Sequence, residues 1–392
     1  MTKVASGLDR FREAGWKRFR QARLGLLCNQ ASVDAALRPA GRVVADALPG
    51  GLRALFGPQH GYGGEDQDNM IETDHAYDAD LGVPVYSLYA DRREPLPEML
   101  EEIDVLIVDL QDAGTRVYTF ASTLLNCMRA AARSGRRVVV LDRPNPLGGD
   151  AVEGNLLAAD MHSFVGPARI PMRHGLTMGE LALYFKGVLR IDVDLEVIRM
   201  AGWRRAMLWK ETGLRWVMPS PNMPLPETAL VYPGQVLWEG TNVSEGRGTC
   251  RPFEIFGAPF LRPERLLTLV PSGAVEGAVL QPFSFKPTFH KWAEQPCRGF
   301  LIHVLDAEAF QPYLASLALL CAVLRDAGER FAWRDPPYEY ETERLPIDLI
   351  LGDTNLRKAV EGGAEPLELR EGWQEDLSQF REQRHPCLLY PS

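Results

Sequence analysis

The chain has 392 residues, with 46% hydrophobic and 24% charged residues and a formal net charge of −9. That length supports two domains around a sizeable core, and the acidic balance argues against a nucleic-acid partner, which would favour a basic face. The six cysteines (Cys28, Cys127, Cys250, Cys297, Cys321 and Cys387) show no CxxC pair and no Cys/His cluster, which argues against structural zinc and against a disulfide framework.

From the N-terminus, residues 1–20 lack the apolar stretch of a signal peptide, and no run reaches the length of a membrane span, so a cytoplasmic protein with no membrane partner is expected. Short apolar runs then recur at 24–30 (LGLLCNQ), 52–61 (LRALFGPQHG), 83–89 (VPVYSLY), 104–114 (DVLIVDLQDAG) and 137–146 (RVVVLDRPNP). Runs of this kind read as strands buried on both faces. Residues 96–103 and 117–134 read as helices between them, the second stopped by Gly135. A further helix begins at LTMGELALYFKGVLR, where Thr177 and Glu180 have capping-box spacing, and the strand DLEVIRM follows. Alternating strands and helices imply a parallel sheet with right-handed crossovers. The proline-dense WVMPSPNMPLPETALVYPG marks a domain boundary near Pro226, giving a domain over 1–226 and a smaller α/β or α+β domain over 227–392. In the second domain, GAVLQPFSFKPTF and RGFLIHVLD read as strands, 307–327 as a helix, and TNLRKAVEGG and WQEDLSQFREQRHPCLLYP as a helical tail.

Open parallel sheets bind ligands beyond the carboxyl ends of their strands. Here those ends carry Asn29 and Gln30, Gln59 and His60, Asp109, Gln111 and Asp112, then Asp142, Arg143 and Asn145. Amides, carboxylates and guanidiniums in that concentration suit a polyhydroxylated ligand. The glycine-rich loop GPQHGYGGEDQD lets backbone approach such a ligand closely. The second domain adds LWEGTNVSEGRGTCRPFE, with carboxylates at Glu239, Glu245 and Glu254 and cations at Arg247 and Arg251, a loop that a rigid scaffold could aim at the first domain. There is no G-x-G-x-x-G after a strand, no Walker A, no G-x-S-x-G elbow and no HExxH, so dinucleotide, nucleotide, serine-hydrolase and zinc chemistries are unsupported.

The segments NQASV, LFGPQHG, PVYSLY, DVLIVDLQDAGTRVYTF, VVLDRPNPLGG, VEGN, IPMRHGLTMGELA, PSPNMP, ALVYPG and EGTNVSEGRGTCRPFE run in that order. Together they resemble the NamZ-type exo-β-N-acetylmuramidases over nearly the whole chain. The resemblance implies a cleft between a Rossmann-like domain and a C-terminal domain. It also implies release of terminal N-acetylmuramic acid from non-reducing ends of peptidoglycan fragments, without a cofactor. One departure stands out: many members read GPEHG where this chain reads GPQHG, with Gln59 in place of Glu. A catalytic carboxylate must then come from elsewhere, or the substrate differs. The alternatives are an exo-glycosidase on a related amino sugar and a catalytically silent carbohydrate-binding protein.

Glycoside cleavage normally uses two carboxyl groups, one donating a proton to the leaving oxygen and one assisting at the anomeric carbon. On the substrate that the resemblance implies, the 2-acetamido oxygen can itself attack that carbon, and the lactyl anion calls for a cation. Glu65 or Glu239 is the expected acid, and Asp109, Asp112 or Glu245 the assisting carboxylate, with His60 orienting or tuning the acid. Arg116, Arg143, Arg173 and Arg247 are candidates for the lactyl group, since guanidinium grips a carboxylate with two donors. Asn29, Gln59, Asn145, Asn222 and Thr241 are expected on hydroxyls or the acetamido group. Tyr118 and Tyr62 are expected to stack on the sugar, with Trp238 a further candidate.

Overall fold

The structure is a computed structural model, and it describes residues 3–68, 70–90 and 92–392. The apolar runs form a seven-stranded sheet: β1 (Leu24–Leu27), β2 (Leu52–Gly57), β3 (Ala76–Asp78), β4 (Val83–Ser87), β5 (Val105–Val108) and β6 (Arg137–Leu141), joined later in the chain by Leu195–Ile198. Between β6 and that last strand lie β7 (Glu153–Leu156) and β8 (Pro171–Arg173), an antiparallel pair outside the sheet, so Leu195–Ile198 is β9. The sheet order is β3-β4-β2-β1-β5-β6-β9, parallel except for β3 on the edge. β1 and β5 are buried along their whole length, as expected for strands covered on both faces. The chain winds outward from β1 to β4, then restarts at β5 on the other side of β1, so the topological switch lies between β1 and β5.

Helix Phe120–Arg133 covers one face and stops at Gly135, whose φ of 62° few other residues tolerate. Helix Met178–Val188 opens with the expected capping box: the Thr177 hydroxyl accepts from the Glu180 amide, and the Thr177 amide donates to the Glu180 carboxylate. The short strands β3, β7 and β8 carry no long apolar run and were not expected from the sequence.

The C-terminal domain holds a three-stranded antiparallel sheet of β10 (Ile255–Ala258), β11 (Ala278–Phe285) and β12 (Cys297–Val304), with β12 in the middle. Its long helix is Pro312–Ala327, not 307–327. The Asp306 carboxylate accepts the amides of Glu308 and Ala309 and holds that stretch as a turn, so the helix starts at Pro312, where a missing N–H costs nothing. One hydrophobic core runs unbroken from Leu106 and Val108 of β5, through Leu124 and Met128, to Phe256, Phe300 and Leu317 of the second domain.

Two glycines set the approach of the segment that carries Glu239. A Cβ on Gly234 would lie 1.9 Å from the Pro312 carbonyl oxygen, so only glycine lets helix Pro226–Gln235 meet Pro312–Ala327 this closely. A Cβ on Gly240 would lie 2.8 Å from the Ile347 Cα. The intervening 3-10 turn, Val236–Gly240, is thereby fixed with Glu239 pointing inward.

Candidate active site

A pocket with about 460 Å³ of empty space, counting its open mouth, lies where the loop after β2 and the start of helix Phe120–Arg133 meet the C-terminal domain. Gln59 and His60 enter from the β2 loop. Tyr118 and Thr119 enter from the turn before the helix, and Ser220 and Asn222 from the proline-rich connection. Tyr232, Glu239, Arg247, Phe253, Tyr338 and Glu339 complete the wall from the C-terminal side. The rings of Tyr118, Tyr232 and Phe253 meet edge to face, Tyr118–Tyr232 at 5.9 Å and Tyr232–Phe253 at 4.8 Å between centroids. Such a wall offers apolar faces together with a few convergent polar groups, the usual make-up of a small-molecule site.

Two carboxyl groups in the pocket have different surroundings. Glu239 accepts from the Arg247 guanidinium at 2.6 Å and from the Tyr338 hydroxyl at 2.6 Å, the arrangement of an ionised carboxylate. Arg247 is in turn 3.2 Å from Glu245 through Nε. Burial works against its charge, but Glu239 and Glu245 hold its pKa above the ordinary arginine value. Glu245 lies fully buried behind Arg247, 2.7 Å from the Lys291 ammonium and 3.3 Å from His290. Burial alone would raise its pKa; Lys291, His290 and Arg247 outweigh it and hold the carboxyl well below the usual range.

Glu339 is the second carboxyl. It accepts from the Gln59 side-chain amide at 3.0 Å and from the Tyr89 hydroxyl at 2.6 Å. Burial raises its pKa; the Tyr89 and Gln59 bonds pull it back, neighbouring Glu239 raises it, and Arg93 lowers it, with a net value of about 7. The two carboxyls therefore differ in their partners: Glu239 faces a guanidinium and a phenol, Glu339 an amide and a phenol.

His60 sits at φ 72° in the turn closed by the Gly61 amide on the Pro58 carbonyl. Its Nδ1 is 2.6 Å from the Asp66 carbonyl oxygen, which can only accept, so Nδ1 carries the proton and Nε2 is left as an acceptor. Burial brings its pKa down to about 4, so the ring is neutral near pH 7.

Of the residues singled out from the sequence, the pocket gathers Gln59, His60, Tyr118, Asn222, Glu239 and Arg247, with Glu245 directly behind. The others lie elsewhere. Glu65 is exposed and lines, with Tyr62, a separate depression beside β3 and β4. Asp109 and Arg143 form a closed, buried ion pair at 2.6 and 2.8 Å beneath the strand ends. Asp112 shapes its own turn by accepting the Gly114 amide at 2.6 Å, and stands 3.5 Å from His174. Arg116 donates to the carbonyls of Asn155, Ile170, Ile350 and Leu351 and so ties the two domains together; burial lowers its pKa to about 10.

Asn145 and Asn29 likewise spend their side chains on backbone, at Leu176 and Leu147 and at Pro219 and Ala31. Arg173 donates to the Leu147 carbonyl and borders other grooves, formed with the Glu308 segment. The Thr241 hydroxyl bonds the Trp238 carbonyl and the Val243 amide. Trp238 is fully buried and stacked on Phe256 at 4.7 Å, so it belongs to the core. Strand-end polarity is thus consumed largely by folding: these ends lie under other chain segments, where every buried donor needs an acceptor. Sequence reasoning missed Tyr232, Thr119, Tyr338 and Glu339. The first two lie inside the quoted segments ALVYPG and GTRVYTF, whereas nothing in the sequence singles out Glu339.

Comparison with known proteins agrees with this architecture. Residues 24–227 match the family model described as exo-beta-N-acetylmuramidase NamZ, N-terminal, and residues 230–390 match its C-terminal counterpart. The chain is 38% identical over 388 residues to the peptidoglycan beta-N-acetylmuramidase NamZ of Bacillus subtilis, covering 99% of this chain and 92% of that protein. Among solved structures it is similar to two DUF1343 family proteins of Bacteroides fragilis, both matched over the full length of each chain. One has a TM-score of 0.90 at 32% identity, the other 0.79 at 26%. With both halves matched in order and a curated relative covered almost end to end, the chain belongs to the NamZ exo-β-N-acetylmuramidase family.

Proposed function

We propose that this protein is a glycoside hydrolase that removes terminal β-linked N-acetylmuramic acid from the non-reducing ends of peptidoglycan-derived sugars. The observation that carries the reading is the pocket at the domain seam, lined by buried Glu239 and Glu339 together with the edge-to-face rings of Tyr118, Tyr232 and Phe253. Cleavage of a glycoside builds positive charge at the anomeric carbon. In this reading Glu239, anchored by Arg247 and Tyr338, faces that charge or orients the substrate's acetamido group as its oxygen attacks. A carboxylate already fixed by two donors needs no reorganisation as the charge develops.

Of the four guanidiniums considered for the lactyl anion, Arg247 is the one that lines the pocket. His60 presents Nε2 as an acceptor for a sugar hydroxyl or the acetamido N–H. Asn222, which donates to the Gln67 carbonyl at 2.8 Å, ties the β2 loop to the connection and steadies the rim. The test is release of 4-nitrophenol from the β-N-acetylmuramide, with the matching glucosaminide as control. Release from the muramide alone is expected. Release from the glucosaminide alone would overturn the lactyl-recognising reading, and release from neither would overturn hydrolysis.

A further inference from the structure

We propose that Glu339 is the catalytic proton donor, held in the pocket by a strained two-residue turn and flanked by two side chains that can only donate to it. The proposal rests on the glycosidase reading and names the acid that position 59, a glutamine here, cannot supply.

The first observation is backbone. Tyr338 and Glu341 exchange both backbone hydrogen bonds, at 2.9 and 3.0 Å, so Glu339 and Tyr340 are the two central residues of a tight turn. Their φ angles are 47° and 68°. Two consecutive positive φ values define the turn that Asn-Gly usually fills. A glutamate and a tyrosine hold it here against their own preference, as happens where a site needs particular side chains.

The second observation is donor and acceptor accounting. The Thr119 hydroxyl donates to the Gln59 carbonyl oxygen at 2.6 Å, so the Gln59 amide must present its NH2 to Glu339 at 3.0 Å and to the Tyr89 oxygen at 3.0 Å. Tyr89 also accepts the Met70 amide at 3.2 Å. With two donors already on its oxygen, the Tyr89 hydroxyl spends its own proton on Glu339. Both polar partners of Glu339 are therefore donors. A proton on this carboxyl finds no acceptor in either, and the pocket is where it can be given.

The charged and titratable groups facing Glu339 are Tyr89, Tyr340 and Arg93 on one side and Glu239 on the other, with Tyr338, bonded to Glu239, and Tyr232 also within electrostatic reach. In the reaction, the Glu339 proton passes to the glycosidic oxygen as the C1–O bond breaks, and the bonding electron pair stays on that oxygen. Water supplies the hydroxyl that ends on C1, and its remaining proton restores the Glu339 carboxyl.

The experiment compares wild type with Glu339→Gln on two muramides: one with an unactivated sugar alcohol as leaving group and one with 4-nitrophenolate. An acid is needed most for the poor leaving group. The expected loss in kcat is about 10²–10⁴-fold on the sugar leaving group and at least about tenfold smaller on 4-nitrophenolate. Equal losses on both, or kcat within about threefold of wild type on both, would overturn the proposal.

Tyr89→Phe gives a second readout. Wild-type kcat/KM is expected to fall above about pH 7, where Glu339 loses its proton. Removing the Tyr89 donor destabilises the carboxylate, so this limb is expected to move to higher pH. An unmoved limb would mean that Glu339 is not the titrating acid. A wild-type enzyme silent on both muramides would instead sink the glycosidase reading, and this proposal with it.

Discussion

Two buried arginine–carboxylate pairs in this molecule look alike and do different things. Arg143 grips Asp109 through Nε and Nη2 under the strand ends, and its Nη2 also donates to the Val33 carbonyl. Arg247 grips Glu239 on the pocket wall and reaches Glu245 with its Nε. The first guanidinium has one carboxylate, and the pair lies outside the pocket. The second has two, and one of them opens onto empty space. In the proposed reaction the site needs a charge that stays solvated by protein while a ligand comes and goes, and a guanidinium bracketed by two carboxylates would provide it.

The difference can be broken by substitution. Asp109→Asn leaves Arg143 as a buried cation without its countercharge. We expect a stability loss of about 3–5 kcal/mol, read as the shift in denaturant midpoint, or failure to fold. A loss under about 1 kcal/mol would put the Arg143 pair on the same footing as the bracketed one.

A smaller effect is expected at Glu339, with its sign set by pH. Its folded pKa is raised to about 7, so whatever stability it lends is present below the unfolded carboxyl value and is lost as pH rises through about 7. Glu339→Gln removes the ionisation. Its melting temperature should therefore exceed that of wild type at pH 8 by a few degrees, about 2–4 °C for each kcal/mol, with the gap closing toward pH 5. A gap that does not change with pH would deny the raised value. Arg173 should have the smallest effect on activity. Although it was a candidate for the lactyl anion, it borders a different groove. Arg173→Met should leave KM for the muramide within about twofold, where a true lactyl contact would cost tenfold or more.

Much of the fold was legible because a parallel sheet buries its strands on both faces, which writes itself as continuous apolar runs such as VLIV and RVVVL. The capping box at Thr177 and the stop at Gly135 were legible because each depends on a few adjacent residues. The edge strand β3 was not, since two of its three residues are exposed and carry no apolar signature.

The site was half legible. Gln59, His60, Glu239 and Arg247 sit where fold logic and a conspicuous loop point. Asp109, Asn29 and Asn145 occupy equally conspicuous strand ends, but the connection around Pro219 and the turns at Leu147 and Leu176 claim Asn29 and Asn145, while Arg143 claims Asp109. Glu339 was invisible for the opposite reason. Its segment, PPYEYETE, reads as a solvated turn, and only the packed fold brings it to Gln59, 280 positions away in sequence.

The most direct test of the account is kcat/KM of Glu239→Gln on 4-nitrophenyl β-N-acetylmuramide at pH 6, beside its melting temperature. Arg247 keeps Glu245 as a countercharge, so the variant should stay folded with a melting temperature close to wild type. We predict a fall of at least about 10²-fold in kcat/KM, the scale for removing a fixed charge from a reacting centre. A folded variant within about tenfold of wild type would show that this pocket is not where the glycosidic bond is broken.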